Sequence, residues 1–243
     1  MEYTPEQLNY FRLCYIAFNL VPQGLRKVFK QEWDFLYETT PLGQWKDIAK
    51  NGLDFYNMGS KKSRTKNARC LATIQNGNTA EWDCTCLFFA ILYSDSIGSS
   101  LSPAVFNDVD NLRQVRNGVA NISEVQLTDA DFQSCVGKVI AAFNTLRLPI
   151  SDVEGVKNQR SFPTAKVHGL ITQVGNLRAE LLQAKSDLQE AKNAAQKKEK
   201  EVEVLTQEIN SKVESCCHLA FIPSHQIIRR SKDVSRQYKN GGT

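Results

Sequence analysis

The sequence predicts an all-α protein, a helical bundle followed by one long coiled-coil helix, and three observations lead there. No stretch alternates apolar and polar residues with a period of two over several positions. Residues 1–150 instead space their apolar residues three and four apart in successive segments, several of them behind N-capping signals. From Val167 to Ile209, apolar or small residues then recur in an a/d pattern for six heptads.

The segments follow in order. Thr4, Pro5 and Gln7 form a capped helix start, and Leu8, Phe11, Tyr15 and Phe18 carry helical spacing to about Leu20. Pro22 opens a second helix through Leu25, Val28, Phe29 and Leu36 to about Tyr37. Thr39 to Gly43 is a turn. The irregular aromatic stretch from Trp45 to Ser60, with Gly52 and Gly59, predicts a packed loop. A short helical piece from Ala68 to Ile74 ends at Asn76-Gly77-Asn78. Asn78 or Thr79 then caps a helix to about Ser94, whose CTCLFFAILY run is apolar nearly all round and therefore predicts the most buried helix. Ser102-Pro103 starts the helix carrying Val109, Leu112 and Val119. Thr128, with Asp131 three residues on, starts the next, through Phe132 and Phe143 to Leu146, and Pro149 stops it.

Residues 151–164, with Gly155 and Pro163, read as a linker. Residues 165–215 read as the coiled coil, with flanks rich in Glu, Lys and Gln. Its central alanines and Lys198 weaken the seam and predict a modest dimer or a partly frayed rod. Residues 216–243 read as a basic, flexible tail.

Composition narrows the function classes. Of 243 residues, 42% are hydrophobic and 23% charged, and no apolar run is long enough to span a bilayer, so no membrane partner is expected. The N-terminus lacks a basic region ahead of an apolar one, which makes a cytoplasmic location the default expectation. Seven cysteines, several within apolar helical stretches, suit reduced thiols. Neither Cys84/Cys86 nor the Cys216, Cys217, His218, His225 group has zinc-module spacing, so neither a metal nor a cofactor is expected. The net charge of +4 is local. Lys61, Lys62, Arg64, Lys66 and Arg69 put five positive charges and no acid into nine residues, the tail from Arg229 to Lys239 adds four net, and the remainder stands at −5. Local basic patches attract phosphates.

The stretch Asn111 to Asn121, NLRQVRNGVAN, places Arg113, Arg116 and Asn117 beside the apolar face of its helix. From about Asn9 to Thr164 the chain resembles the HEPN domain found in an RNA-binding RING-type ubiquitin ligase and in many animal multidomain proteins. The resemblance lies in FKQEWDFLY (29–37), QWKDIAKNGLDFYN (44–57), NARCLATIQNGNTAEWDCTCLFFAILYSDSIG (67–98), VDNLRQVRN (109–117), LTDADFQ (127–133) and NQRSFPT (158–164). It implies an antiparallel helical bundle that pairs with a second copy. In active HEPN ribonucleases an Arg and an adjacent polar residue are followed by a His, and two such motifs meet across a dimer to cut RNA without a metal. Here Arg116 matches the Arg, Asn117 the polar residue, and Asn121 stands where the His belongs.

Asn cannot exchange a proton near neutral pH, and losing a general acid–base group costs about 10²–10⁴-fold in rate. Arg116, Asn117 and Asn121 therefore read as a degenerate catalytic motif. The expected function is a non-catalytic interaction and assembly protein, a homodimer or homo-oligomer held through the bundle and the coiled coil. The RNA or phosphate contacts expected of it fall to Lys61, Lys62, Arg64, Lys66, Arg69, Arg113 and Arg116. The alternative is a weakened or inactive metal-independent endoribonuclease. For Arg116 itself, a salt bridge to a neighbouring acid such as Asp108 or Glu124 is the competing structural expectation. A signalling-protein partner, of innate-immune or ubiquitin type, is implied by the resemblance alone.

Overall fold

The computed structural model describes residues 3–220, with side-chain surroundings through Val213. The basic tail and the Cys216, Cys217, His218, His225 group lie outside the described side chains. Among the described residues every regular element is helical. None of these helices is long and apolar enough to cross a membrane. The chain divides into two compact units, Met1–Leu181 and Leu182–Thr243.

In the first unit, α1 (Pro5–Tyr15) begins with the Thr4/Gln7 capping box that the sequence announces. It does not stop near Leu20. A π-helical turn, Ile16–Leu20, joins it directly to α2 (Val21–Tyr37), with Val21 N–H donating to the Ile16 carbonyl. Pro22 explains the turn, because it has no N–H to give and its ring crowds the carbonyl one turn back. The wider π turn absorbs both problems without breaking the axis.

The stretch expected to be a packed loop contains α3 (Ala49–Met58). Gly52 lets it lie directly on the backbone of Ile74 and Gln75, where a Cβ would stand 2.4–2.5 Å from their carbonyl oxygens. The basic run forms a short helix, α4 (Lys61–Lys66), capped by Ser60, and α5 (Ala68–Ile74) follows. The predicted 78–94 helix is split. Asn78 caps only a 3-10 turn, Thr79–Glu81, and Asp83 caps α6 (Cys84–Phe88), which runs into a second π turn, Phe89–Tyr93. Phe88, Phe89, Ala90, Ile91 and Leu92 are all buried, as the all-round apolar run requires.

Helix α7 (Pro103–Asn121), capped by Ser102, packs along α8 (Asp129–Thr145), capped by Thr128, and also meets α1 and α6. The segment expected to be a linker holds α9 (Ser151–Lys157), with Val153 and Val156 buried beside α1 and α8. Last comes α10 (Thr164–Ala220). Its seam positions Val167, Leu170, Val174 and Leu177 are only 1–6% exposed. The first two heptads are thus occupied by this chain's own core.

The core's densest part is aromatic. Trp45 and Trp82 stack edge-on against Phe29 at 4.7 and 4.8 Å between centroids, and Trp33 meets Trp45 at 5.0 Å. Asp47 ties this cluster to its surroundings from a left-handed backbone position, φ 55°. Its carboxylate accepts from Lys30, from the Trp45 indole at 3.0 Å, and from the Thr79 amide and hydroxyl at 3.1 and 2.7 Å. Burial alone would raise the Asp47 pKa. The donors from Lys30, Thr79 and Trp45 outweigh it and hold the carboxyl below its ordinary 3.8. A carboxyl depressed by folding stabilises the fold above its unfolded pKa and loses that contribution as pH falls through its folded value. Asp47→Asn should therefore lower the urea midpoint at pH 7, with the gap to the parent chain closing below about pH 3.8.

Candidate functional site

Arg116, on α7, is nearly buried, at 9% residue exposure. It does not pair with Asp108 or Glu124. Its partner is Glu180, contributed by α10, at 3.4 Å. Arg116 also donates to the Thr85 hydroxyl at 3.4 Å and to the Asn117 side-chain oxygen at 3.2 Å. Glu180 collects more than one donor, because the Thr85 hydroxyl reaches it at 3.3 Å and Arg69 at 3.5 Å. One α10 carboxylate thereby gathers groups from α5, α6 and α7.

Two residues before Glu180, Arg178 does related work on the same helix. It donates to the Ala120 carbonyl at 2.9 Å and to the Ile122 carbonyl, satisfying orphan acceptors at the C-terminal end of α7. Beside Arg116 a cleft of about 380 Å³ opens between the start of α2, the approach to α6, and α10. Arg26, Asn19, Gln23, Gln173 and Asn176 share its lining with Arg116, Trp82 and Glu180. Arg26 is spent on the Thr79, Ala80 and Trp82 carbonyls. The Trp82 indole N–H and Arg116 Nε are buried without a hydrogen-bond partner among the described residues.

The remaining residues named from sequence are dispersed. Arg113 is held by Asp110 on its own helix at 2.7 Å. Asn117 is half-buried beside Arg116, and Asn121 is exposed at the last residue of α7. Arg64 lies over the Tyr56 ring at 5.2 Å, which places Tyr56 against a cation while Phe55 is buried in the core. Lys61, Lys62 and Lys66 are exposed on α4, with no ion pair among the described residues. Of the seven basic residues, only Arg69 and Arg116 converge, and they converge on a carboxylate.

The thiols divide by environment. Burial pushes Cys14 and Cys84 up to about 12, so both stay protonated and act as small apolar groups. The Cys86 thiol donates to the Cys70 backbone carbonyl; the nearness of the two thiols lowers the pKa of Cys70 and raises that of Cys86. No group of His, Cys, Asp and Glu able to hold a metal ion occurs among the described residues. Glu180 and Arg178 escaped sequence reasoning because they sit in what reads as a solvated coiled-coil flank, more than fifty positions beyond their partners.

The cost of breaking each contact differs. Arg178→Ala leaves two carbonyls without a charged donor and should destabilise the fold by about 1.5–3 kcal/mol. Glu180→Gln keeps an oxygen acceptor but removes the charge partner of the nearly buried Arg116 guanidinium, and should cost about 3 kcal/mol or more. Urea unfolding of both variants checks the order. No family model, curated protein or solved structure matches the chain.

Proposed function

We propose that the chain is a non-catalytic, HEPN-like interaction and assembly protein, whose oligomeric state is set by the second unit together with contacts between helical units. The observation that carries this reading is the bare apolar content of α10 beyond Leu181. Leu182, Leu188, Val202, Leu205, Ile209 and Val213 stand 55–67% exposed on one helix. A lone helix of this length gains little from propensity and draws its stability from packing an apolar face. Apolar side chains at heptad spacing with charged flanks are the pattern that a partner helix covers.

Two features support the absence of catalysis. Arg116, the residue matching the ribonuclease Arg, is engaged by Glu180. Asn121, which stands where the His belongs, can neither take nor give a proton near neutral pH. Light scattering should find at least two copies of the full chain per particle and fewer in a form ending at Leu181. A full-length monomer at tens of micromolar would overturn the reading.

A second reading, RNA contact, is favoured by one observation: Lys61, Lys62 and Lys66 project from α4 with nothing acidic paired to them among the described residues. Such lysines supply sequence-independent phosphate contacts. If they do, replacing all three with Ala flattens the log–log salt dependence of single-stranded RNA binding by about 2, at roughly 0.7 per phosphate contact. An unchanged slope would remove α4 from any RNA interface.

A further inference from the structure

Residues 184–209 of α10, about 39 Å of helix at 1.5 Å per residue, carry a seam of very uneven width. In heptad order it reads Ala184, Leu188, Ala191, Ala195, Lys198, Val202, Leu205, Ile209. Its large members Leu188, Val202, Leu205 and Ile209 are 56–62% exposed. The charges on the same helix are also uneven. Residues 182–200 carry five lysines against three acids, a net +2, whereas residues 201–213 carry three glutamates against Lys212, a net −2.

We propose that this seam pairs with the same seam of a second copy in antiparallel orientation, with Lys198 opposite Ala195 of the other copy. The proposal rests on the assembly reading above and adds the partner, its direction and its register.

In this register Val202 faces Ala191, Ile209 faces Ala184, and Leu205 faces Leu188. Val202 and Ile209 each meet an alanine and the two leucines meet each other, so no layer sets alanine on alanine and the helices can run at a steadier separation. The Lys198 stem lies over an alanine methyl, with its ammonium free to reach solvent. The +2 half of each helix lies along the −2 half of the other. On the flanks Lys192 faces Glu199, and the one like-charge pair is Asp187 with Glu208.

Parallel pairing fares worse. It sets Lys198 against Lys198 in the seam, stacks alanine on alanine in three layers, and lays like-charged halves side by side. Its gain is the single flank pair Asp187 with Lys192.

Two measurements on the full-length chain test the proposal. A photo-cross-linking amino acid at position 188, in a mixture of light and heavy isotope-labelled chains, should join to residues around Leu205 of the other copy. In the second, Lys192→Glu should weaken dimerisation about three- to tenfold, because two solvent-exposed pairs are reversed. Adding Glu199→Lys in the same chain should restore it. Circular dichroism of each variant confirms that helix content is kept.

Cross-links from 188 to 188, or a Lys192→Glu defect that Glu199→Lys does not repair, would overturn the antiparallel register while leaving assembly standing. A chain that neither cross-links between copies nor dimerises would overturn both.

Discussion

Phe29, Trp33, Trp45, Phe55 and Trp82 come from α2, the loop after it, α3 and the approach to α6, and they pack edge against face within one core region. Such contacts add about 0.5–1.5 kcal/mol per pair beyond the area they bury. The irregular half of the first unit depends on this meeting. The loop around Trp45 has few regular backbone hydrogen bonds to fix it, and its position comes from the indole in the cluster and the Asp34 carboxylate that takes the Trp45 amide. Asp47, held left-handed between Lys30 and Thr79, then fastens the loop to both sides. Helices α3 and α5 follow from that arrangement, since Gly52 lets them approach at backbone distance only once the loop has turned the chain back.

Helix α10 divides its labour along its length. Through Leu177 its apolar positions complete the core, while Arg178 and Glu180 reach the end of α7 and the Arg116 group. From Leu182 onward the same heptad rule continues, with its large apolar residues exposed. A heptad pattern specifies that a face will be covered, and says nothing about whether the cover is the same chain or another.

That ambiguity accounts for much of what the sequence could and could not show. Helix starts written in short-range chemistry were legible: Thr4 with Gln7, Ser102 before Pro103, and Thr128 with Asp131 each cap the helix expected. The π turns were not, because they answer local crowding such as that at Pro22 rather than any hydrophobic period. Helix α3 was hidden by Gly52, which serves a close backbone contact that only the folded chain reveals. At the site, Arg116 and Asn117 could be singled out from their neighbours in sequence. Glu180 could not, since an acid on a charged flank has no distinguishing mark until the helix bearing it docks. The lysines of α4 were legible as charge, but their segregation from Arg69 and Arg116 is a property of the tertiary fold.

The three tryptophans of the chain are Trp33, Trp45 and Trp82, and all of them belong to the one aromatic cluster. Indole rings 5.0–5.4 Å apart share excitation and sense the same shell of neighbours. Intrinsic tryptophan emission from this protein is consequently a single local gauge, reporting the junction of α2, α3 and the approach to α6. Association along residues 184–209 is optically silent in that channel, and the chain offers a built-in separation between a signal for core integrity and any signal introduced to follow the second unit.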